Sequence, residues 1–286
     1  MSKRPTSKRV NGSTPAPVRI FVGASAGGED AEACLVCEAS LRRRTSLPIE
    51  VEWLALSRDP ASSLYSDPKT EAGWQTARWA TPWTALRWAV PALCGWTGRA
   101  IYLDCTSIVL GDVAELAAAE FPPGAAVLMR RTGRTLHTGC AVWNCATARV
   151  FLPHLAVQAA DVGAHQAACA ALADRSDLVG ELPPGWGLTD LEYSRSPDEA
   201  TGSVNCVNLY MQPHARYALP RLRRAGRDHW FGAVRMRHFC DELVALFDRE
   251  LRAARDAGSA VEHYLAKEPF GPYAIRGADR AAEDAR

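Results

Sequence analysis

One carboxylate stands out by its position. The run Ala100-Ile-Tyr-Leu-Asp104 is short, apolar and ends in an acid, and open α/β sheets bind ligands at the carboxyl ends of their strands. Asp104 is therefore placed either to face a ligand crevice or to cap the turn after its strand. Arg87 lies on a stretch where Trp83, Leu86, Ala89, Val90 and Leu93 recur at helical spacing; an arginine there either snorkels to solvent or reaches phosphate. Gly23-Ala-Ser-Ala-Gly27-Gly28 joins an apolar run to a helix-like one. It meets neither Gly-x-Gly-x-x-Gly nor a Gly-Lys-Ser/Thr loop, and a plain tight turn competes with a ligand-binding one. Cys34-x-x-Cys37 sits inside the expected first helix, away from the N-terminus that would lower a thiol pKa, and no second pair completes a zinc site. Packed core thiols are the reading that remains. Asp112 reads as the N-cap of a helix at Val113. Trp74, Trp79, Trp83, Trp88 and Trp96 crowd one region, where they pack the chain onto a sheet or stack on a sugar.

The elements that must hold these residues alternate. Val18 to Val22 reads as a strand, Glu29 to Arg44 as a helix, and Ile49 to Leu56 as a second strand. A polar loop from Ser57 to Thr81 is long enough to be a lid or a binding surface. Thr81-Pro82 opens a helix, with a hydroxyl at the N-cap and proline at the first helical position. Strands follow at Arg99 to Asp104, Ala125 to Met129 and Cys140 to Trp143, with helices at Val113 to Glu120 and Ala146 to Leu172. Extended structure returns at Val204 to Met211, and an amphipathic helix runs from Asp241 to Ala257. The expected fold class is α/β: a single Rossmann-like domain over 18–272, with a mixed, mainly parallel sheet flanked by helices. A disordered basic tail is expected over 1–17 and a flexible tail over 273–286.

Composition agrees. The chain has 286 residues, 48% hydrophobic and 23% charged, which is globular rather than disordered composition. A formal net charge of +1 gives no general reason to expect nucleic acid as a partner. The first 17 residues lack the apolar run of a secretory signal, and no run reaches the ~18–20 residues of a membrane span. Nine cysteines, several inside apolar runs, suit a reducing compartment, so a cytoplasmic protein is expected. The oligomeric state is not readable.

Several segments, in order, are similar to those of the retaining glycosyltransferases of family eight, which have the GT-A fold. They are Arg87-Trp-Ala-Val-Pro91, Arg99 to Asp104 with Gly111-Asp112-Val-Ala-Glu-Leu116, His137-Thr138-Gly139 through Asn144, Leu182-Pro-Pro-Gly-Trp186-Gly187, and Asn205 through Gln212-Pro213. The likeness runs from Val18 to Phe270. It implies a nucleotide-sugar donor, a uridine diphosphate hexose, passed to an acceptor the residues do not name. The donor would contact Val22, Gly23, Ala24, Arg87, Asp104, Cys105, Thr106, His137, Thr138, Gly139 and Gln212. Asp104 and Asp190 would be the catalytic acids. In the family, two carboxylates and a histidine hold a divalent cation that neutralises the leaving diphosphate. Here the corresponding positions are Asp104, Thr106 and Asn205, so two strong donors are missing and manganese or magnesium should bind far more weakly, if at all. Three accounts stay open. Arginines such as Arg130, Arg131 and Arg134 replace the metal; the chain binds nucleotide sugar without turnover; or Asp112 or Asp190 completes the site.

Overall fold

The sheet grows from two apolar runs whose β-branched and aromatic residues favour pleated, buried strands. The computed structural model describes residues 16–195, 200–235 and 237–275. In chain order the strands are β1 (Val18–Gly23), β2 (Ile49–Leu54), β3 (Ser66–Asp67), β4 (Ala72–Gly73), β5 (Arg99–Asp104), β6 (Ser107–Val109), β7 (Val127–Thr132), β8 (Thr135–Asn144), β9 (Val179–Glu181), β10 (Leu188–Thr189) and β11 (Ser203–Asn205). The α-helices are α1 (Ala31–Arg44), α2 (Val90–Leu93), α3 (Ala114–Ala118), α4 (Cys145–Ala148), α5 (Leu155–Ala160), α6 (Ala164–Asp174), α7 (Asp190–Arg195), α8 (Ala215–Arg224) and α9 (Asp241–Asp256).

The main sheet has the order β2-β1-β5-β8-β7-β9. All neighbours are parallel except β8, which runs against both β5 and β7. This is the mixed, mainly parallel sheet expected from the alternation of elements. Ile20, Phe21, Val22, Ile101 and Leu103 are almost wholly buried, and each such side chain contributes roughly 1.5–3 kcal/mol. A smaller sheet, β10-β11-β6, leans on the edge where β5 ends. Its register sets Asn205 opposite Ser107, which brings a residue about a hundred positions downstream beside the turn after Asp104. On the sheet, β1 and β5 are aligned so that Gly23 pairs with Asp104.

Helix α1 buries Cys34, Leu35, Val36, Cys37 and Leu41, so the Cys-x-x-Cys pair is core. All nine cysteines are free thiols, and only Cys169 is exposed. Amphipathic α9 packs on α1 through Leu243, Leu246, Phe247 and Leu251, and buried Glu250 pairs with Arg43 and Arg44 across the contact. No helix among the described residues is long and apolar enough to cross a membrane.

Three expectations shift. The helix opened by Thr81-Pro82 is a series of turns, a 3-10 segment at Leu86–Ala89 and then the single turn of α2. Pro91 is the cause: it has no N–H to bond the carbonyl four residues back, so a new helix start is forced near it. The helix expected over Ala146 to Leu172 is α4, α5 and α6, divided at Pro153 and Gly163. Extended structure after Val204 lasts only to Asn205, and α7 and α8 were not legible as helices. Of the expected tails, 1–15 and 276–286 lie outside the described residues. Tyr273 and Ile275, beyond the expected edge at 272, are packed: the Tyr273 hydroxyl accepts from Gly27 N at 3.0 Å and Ile275 is buried.

Gly23 is glycine for reasons of space. A Cβ there would overlap the Tyr102 hydroxyl and stand 2.7 Å from Trp83 Cδ1. Gly23→Ala must therefore displace two buried rings, and overpacking of this kind costs about 1–3 kcal/mol. Urea unfolding should show that loss, with an unchanged dependence on denaturant concentration.

Candidate functional site

A carboxylate has two oxygens and about four lone-pair positions, and those of Asp104 are taken by the protein itself. Its Oδ1 accepts from the Tyr102 hydroxyl at 2.7 Å, Trp83 Nε1 at 3.1 Å and Arg87 Nη2 at 3.2 Å. Its Oδ2 accepts from Asn205 Nδ2 at 3.2 Å. Asn205 Oδ1 in turn accepts the Thr106 hydroxyl at 2.7 Å. The acceptor-only carboxylate fixes which end of the amide faces it. Gly139 makes the approach possible, since a Cβ there would overlap Asn205 Nδ2 and lie 2.8 Å from Asp104 Oδ2.

The structure thus brings together the three positions that resemblance assigns to a metal, but their chemistry does not fit one. A divalent cation needs several hard oxygens turned toward it. Here a guanidinium already sits on the one carboxylate, Asn205 offers that carboxylate its N–H, and the amide oxygen is used by Thr106. Burial would lower the Arg87 pKa, but the Asp104 charge together with the interactions with Tyr102 and Cys169 outweighs it, and the pKa is raised. Burial and the same charge push the Tyr102 phenol well above its usual value. Both groups stay protonated.

Arg87 and Asp104 line a cavity of about 250 Å³ together with Thr106, Thr138, Gln212 and Trp230. The Thr138 hydroxyl accepts from Arg87 Nη1, whereas Arg87 Nε, in a side chain only 8% exposed, has no partner among the described residues. Gln212 Oε1 is likewise unpartnered, in a residue 4% exposed. Its Nε2 donates to the carbonyls of Cys206 and Asn208 at 3.1 and 2.6 Å.

Asp30, which the sequence did not single out, is a second caged acid on the same cavity. Its Oδ1 accepts from His214 Nε2 and His229 Nε2, both at 3.0 Å, and its Oδ2 from Trp230 Nε1 at 2.8 Å. Burial alone would raise its pKa, but the interaction with His229 and the hydrogen bonds donated by both histidines hold it far below the ordinary carboxylate range. Asp30, His214 and His229 have the composition of a metal site, with ligand atoms within 4.8 Å of one another. The proton positions argue otherwise. His229 Nδ1 accepts from Phe231 N at 3.2 Å, so its Nε2 carries the proton and has no lone pair to give. The only sequence signal for this cage was an acid ending the glycine-rich turn. Its partners come from two histidines almost two hundred residues away.

Other expected residues fall elsewhere. Val22 is held in the ladder of β1, Ala24 N donates to Leu54 O at 3.0 Å, and Cys105 is fully buried with its N–H on Gly23 O at 2.9 Å. Ala24 lines a separate crevice of about 490 Å³ under Tyr264. His137 lies on the β7–β8 hairpin, bonded to Thr132 at 3.0 Å, and does not line the cavity. Asp190 is a correction: it is 1% exposed, and its oxygens accept from Leu191 N, Asn208 N and His238 Nε2 at 3.0, 3.3 and 3.3 Å. It ties loops together and does not line the cavity. Asp112 accepts from Ala114 N and Ser46 N at 2.9 and 3.1 Å, a cap as expected. Neither acid completes a metal site. Arg130 is bound to Glu192 at 2.8 Å, holding that carboxyl down to about 2 against its burial. Arg131 is beside Glu181 and Arg134 is exposed at the hairpin turn. None of the three lines the cavity, so Arg87 is its one arginine among the described residues.

Asp30 allows a pH test with a defined sign. Its folded pKa is depressed, so its stabilising effect is present above the ordinary aspartate value of about 3.9 and fades as pH falls toward the folded pKa. Asp30→Asn should lower stability at pH 7 by about 3–5 kcal/mol, the usual loss on breaking a buried ionic cluster. The gap between the two proteins should narrow below about pH 4 in denaturant unfolding measured across pH.

No family model and no curated protein matches the sequence. Solved structures do. The galactosyltransferase LgtC, solved with donor and acceptor sugar analogues, aligns with a TM-score of 0.53 at 10% identity over 82% of this chain and 96% of that one. Mouse xyloside xylosyltransferase 1 gives a TM-score of 0.46 at 14% identity, over 68% and 99% of the two chains. The glycosyltransferase GlyE of Streptococcus pneumoniae TIGR4 gives 0.48 at 12% identity, over 85% and 64%. The first of these carries the comparison, and with the sheet described above it shows that the chain has the GT-A glycosyltransferase fold.

Proposed function

We propose that this chain transfers a hexose from a nucleotide diphosphate sugar, a uridine one, to an acceptor with retained anomeric configuration, and does so without a divalent cation. The observation that carries the reading is Arg87: a buried guanidinium at the carboxyl edge of β1 and β5, anchored by Asp104 and Thr138, that lines the cavity. Cleavage of the anomeric bond adds charge to the leaving diphosphate. A fixed N–H donor on a permanent cation stabilises that charge without reorganising. The lining acids give no nucleophile, because the oxygens of Asp104 and Asp30 already accept seven hydrogen bonds from the protein. Both His229 nitrogens are engaged as well. The departing phosphate oxygen is then the base that takes the acceptor's proton on the same face, which retains configuration with no covalent enzyme intermediate.

A second reading has its own support. The oxygens of both lining carboxylates are occupied by donors of the protein, and a cavity without a free base suits a nucleotide-sugar-binding protein without turnover.

Uridine diphosphate hexoses separate the two. Nucleotide release that persists in a chelator and drops at least tenfold in Arg87→Lys, which keeps the charge but loses the planar fork, supports metal-free transfer. Donor binding without release under any condition supports the binding protein. No donor affinity at millimolar concentration sinks both. A Thr106→Asp, Asn205→His double variant should gain manganese-dependent release; indifference to manganese would show that these positions do not correspond to the family's metal ligands.

A further inference from the structure

We infer that residues 210–235 form a cap, latched by the acidic turn Glu29-Asp30-Ala31-Glu32, that swings off the cavity beside Asp104 to admit a ligand. The inference rests on the proposed function for the identity of that ligand, while the opening itself is read from how the cap is held. The segment is closed on itself: Met211 bridges to Arg235, whose N–H donates to Tyr210 O at 2.6 Å. It also has a small core of its own, in which Ala215, Leu219, Phe231 and Val234 form a cluster separate from the two larger ones.

The cap grips the rest of the molecule mainly through polar groups. Arg221 of α8 donates to the two Glu32 oxygens at 2.7 and 2.8 Å and to the carbonyls of Gly28 and Glu29 at 3.1 and 3.0 Å. Arg227 donates to Gly27 O at 2.8 Å and to Glu29 Oε1 at 3.1 Å. With His214, His229 and Trp230 on Asp30, nine hydrogen bonds run from the cap to the stretch 27–32. Beyond these, Asp248 of α9 accepts from Arg216 and Tyr217, and Trp83 meets the Trp230 ring edge to face at 5.6 Å. A polar interface separates more readily than a close-packed apolar one, because water takes over its hydrogen bonds.

The cavity lies along this seam. Gln212, His229 and Trp230 line it from the cap, and Trp83, Arg87 and Asp104 from the sheet side. Its volume of about 250 Å³ is below the roughly 300–1,000 Å³ usual for small-molecule sites, and a nucleotide diphosphate sugar is a large member of that class. One wall must therefore move. The sheet side is fixed, since β5 lies between β1 and β8 and Asp104 binds Trp83 and Arg87 to its end. The cap is the wall free to leave, and the three acids 29, 30 and 32 are its latch.

The test uses the full chain, with hydrogen exchange read segment by segment and uridine diphosphate binding followed by stopped-flow tryptophan fluorescence. Amides of α8 should exchange at least tenfold faster than those of β1 and β5 and be insensitive to low urea, the mark of local rather than global opening. Glu32→Gln and Arg221→Gln should each raise the nucleotide association rate about tenfold, the worth of one lost charge-assisted hydrogen bond; a latch that merely braced the fold would leave that rate unchanged. Exchange of α8 in step with β5 overturns the inference with no variant needed. An unchanged or slower association rate in both folded variants overturns it as well. If uridine diphosphate binds while α8 exchanges only with β5, this inference fails and the proposed function survives. If α8 exchanges early and uridine diphosphate does not bind, the cap stands and the proposed donor is wrong.

Discussion

The buried pair of Asp104 and Arg87 is the constraint on which the site is built. Four donors from four places in the chain converge on one carboxylate: Tyr102 from β5, Trp83 from the turn before the 3-10 segment, Arg87 from that segment, and Asn205 from β11. Removing one partner of such a pair typically costs 3–5 kcal/mol, because a desolvated charge is left behind. Asp104 therefore fixes the relative position of the main sheet, the tryptophan-rich segment and the small sheet. Two glycines follow from the same arrangement, Gly23 to leave room for Tyr102 and Trp83 and Gly139 to let Asn205 approach.

The design is repeated. Asp30 joins the turn after β1 to His214, His229 and Trp230, and Asp190 joins the start of α7 to Asn208 and His238. His229 and His238 are built alike, each with Nδ1 accepting a backbone N–H two residues on and Nε2 on a buried aspartate. A carboxylate held this way is rigid and chemically spent. The consequence is that whatever reactivity the cavity has must come from its cation Arg87 and from the ligand itself.

How far the sequence revealed this depended on the range of the interactions. Strand β5 was legible to the residue, because an apolar run ending in an acid is a local signal. Helices α1 and α9 were legible within two residues at each end, from periodicity along one segment. The long helix expected after Ala146 was misread, as Pro153 and Gly163 were weighed less than the alanine-rich composition around them. The site was legible only in part. Asp104, Arg87, Thr106, Thr138 and Gln212 were expected near one another and line one cavity, but Asp30 was not expected there, since nothing local marks an acid whose donors arrive from α8's edge and the loop after it. Asp190 was expected in the site from its place in a motif, while its environment is set by the backbone N–H of Asn208 and by His238, which no motif reports.

Thr106 and Asn205 are best understood together. An alcohol and an amide at those two positions form a chain in which Thr106 donates to Asn205 and Asn205 donates to Asp104. Every donated proton has an acceptor and every charge has a partner in Arg87. Either residue alone would leave a polar atom stranded beside a buried carboxylate, and a stranded buried group costs about 1–3 kcal/mol. The Asp104 carboxylate is thereby held by a guanidinium on one oxygen and a hydrogen-bonded amide on the other. Among the described residues, the guanidinium of Arg87 is the arginine charge that lines the cavity.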